Sequence, residues 1–205
     1  MPANHTAKGR LILVSGPSGA GKDAIIDGAR RRLAGDAGMV FPLRTITRPE
    51  GFGGEIHVAV TPAQFDRLRR LGAFALCWGA RGLNFAIPAS IDAELASAAT
   101  VVVNVSPAVL GEARERYPLA SVVWVTASVQ TCRRRLLLRG RENADEIERR
   151  LADAEEICIE EDVDLLVNEG SLDEAVGRLL AMLRQRMPLP LAGGHLPAPM
   201  ALYSS

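Results

Sequence analysis

Gly16-Pro17-Ser18-Gly19-Ala20-Gly21-Lys22 has the spacing G-x-x-x-x-G-K, directly after the apolar run Leu11–Val14 and directly before a helical stretch. Glycines so spaced let successive backbone N–H groups curl around phosphate oxygens, and the start of the following helix adds positive potential there. Lys22 is expected to reach the outer phosphates of a bound polyphosphate as a compact, mobile charge, a task that arginine's rigid fork does less well. The choice of residue is informative, because only two of the chain's 24 cations are lysines, Lys8 and Lys22. Asp23 stands where this motif ordinarily has a hydroxyl for Mg²⁺. An acid there suits the first turn of a helix by roughly 0.3–1 kcal/mol. It is also a hard oxygen ligand that could hold the metal directly or through water. The fixed place of this position beside the phosphates favours the metal.

A second concentration of charge follows residue 130. Arg133, Arg134, Arg135, Arg139 and Arg141 fall within residues 131–141 with no acid among them, and eleven acids against Arg149 and Arg150 fall within 142–164. The two blocks join at Gly140. A basic segment hinged on glycine and followed by an acidic helix suits a lid that brings cations onto a transferring phosphoryl group. Arg139 and Arg141, which flank the hinge, are the expected catalytic cations, with Arg150 beside them. Arg135 reads equally as a nucleotide contact or as part of a helix. Pairs four residues apart, such as Glu146 and Arg150, also stabilise a solvated helix, which accounts for Arg134 and several of the acids.

The elements that must position these groups are legible as short apolar runs alternating with helical stretches. Leu11–Val14, Val40-Phe41, Val101–Val103, Val122–Val125 and Leu165–Val167 read as strands. Helices are expected over Asp23–Leu33, over Pro62–Leu71 after the N-cap Thr61, from Pro88, and over Leu172–Arg186. Ile56–Val60 reads as a strand, Phe74–Trp78 and Leu83–Ile87 flank a turn at Gly79–Gly82, and Arg44–Gly54 reads as a loop. This alternation predicts an α/β P-loop fold: a central parallel sheet with helices on both faces, a small acceptor-binding insert at about 44–88 and an arginine-rich lid at about 133–150. Residues 1–9 are expected to be a flexible tail, 10–186 one domain, and 187–205, with four prolines, a poorly ordered tail.

Composition narrows the function classes. The 24 Lys and Arg balance 24 Asp and Glu, so bulk-charge coating of nucleic acid is not expected, and aromatics at 4% leave few stacking platforms. No apolar run approaches the roughly 18–20 residues of a membrane span. Cys77, Cys132 and Cys158 are odd in number and far apart, which fits a reducing, cytoplasmic setting. His5, His57 and His195 are too scattered for a metal cluster.

Taken together, Gly16–Asp23, Thr47-Arg48 followed by Glu55-Ile56-His57, the segment Ala75–Leu83, the run Arg139–Ala144 and Asn168-Glu169-Gly170-Ser171 resemble the guanylate kinase superfamily. More closely they are similar to its ribose 1,5-bisphosphate phosphokinase branch, over roughly residues 10–185. Asp after the P-loop lysine is a habit of that branch. The resemblance implies ATP as co-substrate with Mg²⁺, a small-molecule acceptor, ribose 1,5-bisphosphate, phosphorylated to 5-phosphoribosyl 1-diphosphate (PRPP), and no protein nucleophile. It implies Arg48 as a ligand of the acceptor phosphate, with Glu55 and His57 lining the acceptor pocket; as a lone histidine on a strand pattern, His57 is equally readable as structural. It places Asn104 at a strand end where other P-loop kinases have a metal-associated acid. The family pattern often has tyrosine where Phe85 stands and arginine where Pro107 stands. Either Arg44, Arg48 or Arg81 supplies the missing phosphate contacts, or the activity is altered. A guanylate or other nucleoside monophosphate kinase is the alternative, and a non-catalytic binding module a distant third. Phosphonate breakdown is the usual setting of the branch, and a homodimer is left open.

Overall fold

The computed structural model of the chain describes residues 9–51, 55–140, 143–155 and 163–185. Arg141 and both expected tails, save Gly9, lie outside them. The central sheet is parallel, in the order β2-β7-β1-β8-β9. Its strands are β1 (Arg10–Ser15), β2 (Met39–Val40), β7 (Thr100–Asn104), β8 (Ser121–Thr126) and β9 (Asp164–Val167). β1 lies in the middle, with Leu13 opposite Val103 on one side and Val122 on the other. Its continuous apolar run follows from burial on both faces. Ile12 and Val14 join one core with Ile25, Val123 and Leu179, while Leu11 and Leu13 join another with Leu76, Ile87 and Val101.

Helix α1 (Lys22–Arg32) and the closing helix α7 (Leu172–Gln185) cover the first of these faces. The buried stripe of α7 is Ala175, Val176, Leu179, Leu180 and Leu183, the spacing of one helix face. Gly28 lets the two helices approach, since a Cβ there would stand 2.5 Å from Val176 Cγ2. Leu179 is fully buried, and its truncation to alanine would cost about 2–5 kcal/mol.

The insert builds a sheet of its own, ordered β4-β3-β6-β5, from β3 (Thr45–Ile46), β4 (Val58–Ala59), β5 (Phe74–Ala80) and β6 (Leu83–Pro88). β5 and β6 form an antiparallel hairpin whose two turn residues, Arg81 (φ +54°) and Gly82 (φ +72°), both have positive φ, as a type I′ turn requires. Between β4 and β5 runs α2 (Pro62–Arg70), opened by a capping box in which Thr61 and Gln64 bond each other's backbone N–H.

Two expectations are corrected here. Pro88 does not open a helix: it ends β6 opposite Phe74, Ala89 N–H donates to Ala73 O at 2.9 Å, and α3 starts at Ile91 (Ile91–Ala96). The stretch expected to be a loop from Arg44 contains β3, which two residues cannot announce by periodicity. It is held instead by long-range pairing to β4 and β6 and by the full burial of Ile46.

After β7, Ser106 caps a short 3₁₀ turn, Pro107–Val109, leading into α4 (Leu110–Arg116). After β8, Ser128 caps α5 (Val129–Arg139), which ends at Gly140 in the left-handed region (φ +63°). α6 (Ala144–Glu155) follows, its Glu146 N–H donating to Asn143 Oδ1 at 2.8 Å. Cys132, Leu136, Ile147 and Leu151 give α5 and α6 a small core of their own. Among the described residues no helix is long and apolar enough to cross a membrane.

Candidate functional site

The end of β1 turns into α1 through three glycines with positive φ, Gly16 (+135°), Gly19 (+84°) and Gly21 (+93°). A side chain at any of them meets a wall. At Gly16 a Cβ would run into Val125 O of β8, at Gly19 it would lie 2.9 Å from Cys132 O of α5, and at Gly21 2.6 Å from Asn168 Nδ2. Lys22 folds back over this turn, donating to Gly16 O at 2.6 Å and Pro17 O at 2.8 Å. Burial pushes its pKa down to about 8, with Arg44 and Arg139 acting in the same direction and Asp23 opposing them. A phosphate arriving here would supply the negative charge that Lys22 otherwise lacks.

Asp23 is the start of a chain of ionic contacts that crosses the floor of the cleft. Its Oδ1 accepts from Arg44 Nη2 at 2.9 Å and from Asn104 Nδ2. Arg44 continues to Glu55, with Nε at 3.0 Å from Oε2 and Nη2 on the same oxygen, and Arg48 Nη2 takes the other oxygen. One carboxylate of the insert thus holds two guanidiniums, Arg44 and Arg48, side by side. Arg44 also lies over the ring of Phe85, 5.6 Å from its centroid, and Phe85 stacks on Trp78 at 5.6 Å. The position expected to carry a tyrosine hydroxyl therefore carries a cation–π platform beneath an arginine. Arg48 Nε and Asn104 Oδ1 are buried without hydrogen-bond partners. Orphaned polar atoms at the edge of a cleft are costly unless a ligand completes them.

His57 takes a different place from the one its motif implies. Its ring is buried, Nδ1 lies 3.1 Å from Glu55 O and Nε2 3.0 Å from Arg48 O, so it braces the backbone at Arg48 and Glu55. It does not line the cleft.

From α6, Arg150 Nη1 reaches Ser18 Oγ at 3.3 Å. Arg135 donates to Asn168 O at 3.0 Å and Ala20 O at 3.4 Å, and Asn168 Nδ2 donates to Ala20 O at 2.7 Å. These bonds lash the phosphate loop to α5 and to the end of β9. Arg81, on the hairpin turn, pairs with Glu146 of α6 at 3.4 Å. Arg139 is exposed at the last turn of α5 and borders all three cavities of the region. The largest, about 770 Å³, is the cleft between phosphate loop, insert and the parts of α5 and α6 that carry Arg139 and Arg150. A second, about 330 Å³, lies between Gly21, Arg135, Asn168 and Leu172 on the far side of the loop. The third, about 250 Å³, lies behind Arg44 against α1.

The structure thus brings Gly16, Pro17, Ser18, Lys22, Asp23, Arg48, Glu55, Arg81, Asn104, Arg139 and Arg150 to one cleft, and Gly19, Gly21 and Arg135 to the adjoining cavity. Ala20 is fully buried and serves through its carbonyl. Arg141 lies outside the described residues. Arg44 and Glu146 emerge with larger parts than the sequence suggested. Both were visible as charges, but the partners that carry them across the site, Asp23 for Arg44 and Arg81 for Glu146, are 21 and 65 residues away in the chain.

Mg²⁺ fits this donor set. Among the described residues no group of three or more His, Cys, Asp and Glu could form a cage. A single carboxylate, Asp23, stands beside the orphaned amide oxygen of Asn104, next to a phosphate cradle. Mg²⁺ ordinarily takes one or two protein oxygens and fills its octahedron with phosphate and water.

A guanylate kinase family model matches residues 8–186. The chain is 42% identical over 178 residues to a ribose 1,5-bisphosphate phosphokinase PhnN of Thiobacillus denitrificans, covering 86% of this chain and 94% of that protein. It is 46% identical over 177 residues to the enzyme of the same name from Pseudomonas paraeruginosa, covering 85% and 95%. Among solved structures it is similar to a guanylate kinase from Anaplasma phagocytophilum, with TM-score 0.64 at 16% identity over 88% of this chain and 87% of that one, a likeness of fold.

Proposed function

The chain belongs to the guanylate kinase family, and from that premise we propose that it transfers the γ-phosphoryl group of ATP to ribose 1,5-bisphosphate, giving PRPP and ADP. The observation that carries the choice of acceptor is the Arg44–Glu55–Arg48 arrangement. Two adjacent guanidiniums face the phosphate loop across the cleft, which suits an acceptor bearing two phosphates.

In this reading the phosphate loop holds the ATP phosphates on its backbone N–H groups, and Lys22 leaves Gly16 O and Pro17 O for the outer phosphates. The cavity beside Gly21 and Asn168 receives the rest of the nucleotide. Arg44 and Arg48 exchange part of their hold on Glu55 for phosphate oxygens of the acceptor. An oxygen of the acceptor's 1-phosphate forms a bond to the γ-phosphorus while the bond from that phosphorus to the β,γ-bridging oxygen breaks, and ADP departs with the electron pair. Arg139 and Arg150 stabilise the charge on the equatorial oxygens. Asp23 and Asn104 would hold Mg²⁺, which when bound neutralises charge on the transferring phosphates. Because the attacking group is already an anion, no general base is needed.

The test is a PRPP-forming assay with ATP, Mg²⁺ and ribose 1,5-bisphosphate, run beside GMP. PRPP formation with little turnover of GMP is expected. Faster phosphorylation of GMP overturns the reading in favour of a nucleoside monophosphate kinase.

A further inference from the structure

We propose that Glu146 is a positioning residue that couples the lid to the acceptor hairpin by holding Arg81 and Arg150 on one carboxylate. The inference rests on the phosphotransfer reading of the cleft and adds a residue that reading does not use. Glu146 Oε1 lies 3.4 Å from Arg81 Nε, at the turn between β5 and β6, and 3.4 Å from Arg150 Nε, one turn further along α6. Arg150 Nη1 touches Ser18 of the phosphate loop at 3.3 Å, and both arginines border the cleft. A continuous path therefore runs from the acceptor hairpin through Glu146 and Arg150 to the loop that holds ATP.

Two further observations separate this from an ordinary pair on a helix. Arg81 has φ +54°, a conformation that costs a non-glycine residue about 1–2 kcal/mol. Type I′ turns favour asparagine, aspartate or glycine at that position, so an arginine there points to use of its side chain. Second, Arg81 is 42% exposed and Glu146 27%, and such a pair adds at most about 1 kcal/mol to stability. The pair is thus a weak source of stability, and what sets it apart is its place at the cleft: acceptor phosphate entering the cleft competes with Glu146 for Arg81, and the same carboxylate sets where Arg150 stands over the phosphate loop. Arg149, whose Nη2 lies 2.7 Å from Glu146 Oε2, is 71% exposed and does not border the cleft, which makes it an internal control.

The experiment is a double-mutant cycle with Arg81→Ala, Glu146→Gln and both together, with Arg149→Ala alongside. kcat, the KM of ribose 1,5-bisphosphate, the KM of ATP and the Tm are measured for each. Each single change in the cycle is expected to lower kcat/KM for the acceptor roughly tenfold, with the pair no worse than either alone. The KM of ATP and the Tm should hardly move, and Arg149→Ala should behave as wild type. Multiplying effects in the cycle, or a loss confined to Tm, overturn the proposal. If the wild type makes no PRPP but phosphorylates GMP, the ribose bisphosphate reading falls on its own, and the same cycle read with GMP decides the coupling.

Discussion

Replacing Lys22 by methionine is expected to remove turnover and, at neutral pH, to make the protein more stable. The lysine's fall from 10.5 to about 8 corresponds to about 3 kcal/mol by which burial disfavours the ammonium in the native state. Because the residue is half-buried, 2–3 kcal/mol is the working range. Methionine removes that charge, but Gly16 O and Pro17 O lose their donor, at a cost of about 1–2 kcal/mol. The variant should therefore gain about 1 kcal/mol at pH 7. In the wild type the unfolded chain keeps the Lys22 proton up to pH 10.5 and the native protein only to about 8. The unfolded state thus binds more protons between those values, and wild-type stability rises through that window while the contribution from position 22 in the variant stays flat. The gap should close near pH 9 and reverse by pH 10. Urea denaturation of both proteins at pH 7, 8, 9 and 10 reads this directly, since other groups titrate alike in the two. Stability curves that stay parallel from pH 8 to 10 would refute the burial argument, and retained turnover in the variant would refute the assignment of the phosphate loop.

Asp23→Ala should raise the Mg²⁺ concentration needed for half-maximal rate and depress turnover; an unchanged magnesium dependence, read by titrating the metal, would remove Asp23 from the metal site. Arg48→Ala should raise the acceptor KM tenfold or more with little effect on the KM of ATP, the reverse of the pattern expected for Asn168→Ala, which loosens the phosphate loop through Ala20 O. Gly21→Ala should lose ATP binding, measured by calorimetry, because its Cβ would lie 2.6 Å from Asn168 Nδ2 at a backbone φ of +93°.

The parts of the fold and site that were legible in the sequence are those whose signals are local. The phosphate loop, the N-cap at Thr61 with its following proline, the β-branched run Val101–Val103 and the glycine at the end of α5 each state their structure within a few residues. What was hidden depends on distant partners. β3 exists because β6 and β4 pair with it, and two residues carry no period. His57 reads equally as a pocket residue and as a structural one, and only the carbonyls of Arg48 and Glu55 on its two ring nitrogens make it a brace. The reach of Arg44 from Asp23 to Glu55 could not be inferred from spacing, because it depends on how the insert lies over α1.

The backbone of Cys132 abuts Gly19 of the phosphate loop, and Arg135, one turn later, is tied to Ala20 O. α5 therefore cannot slide without dragging the loop that holds ATP. α6 shares the small core of Cys132, Leu136, Ile147 and Leu151 with α5, and its Arg150 touches Ser18, so it too is tied to the loop. The phosphate loop thus sits on its neighbours as a keystone does on its arch: Arg135 and Asn168 both close on Ala20 O, so a change at either is felt at the loop itself.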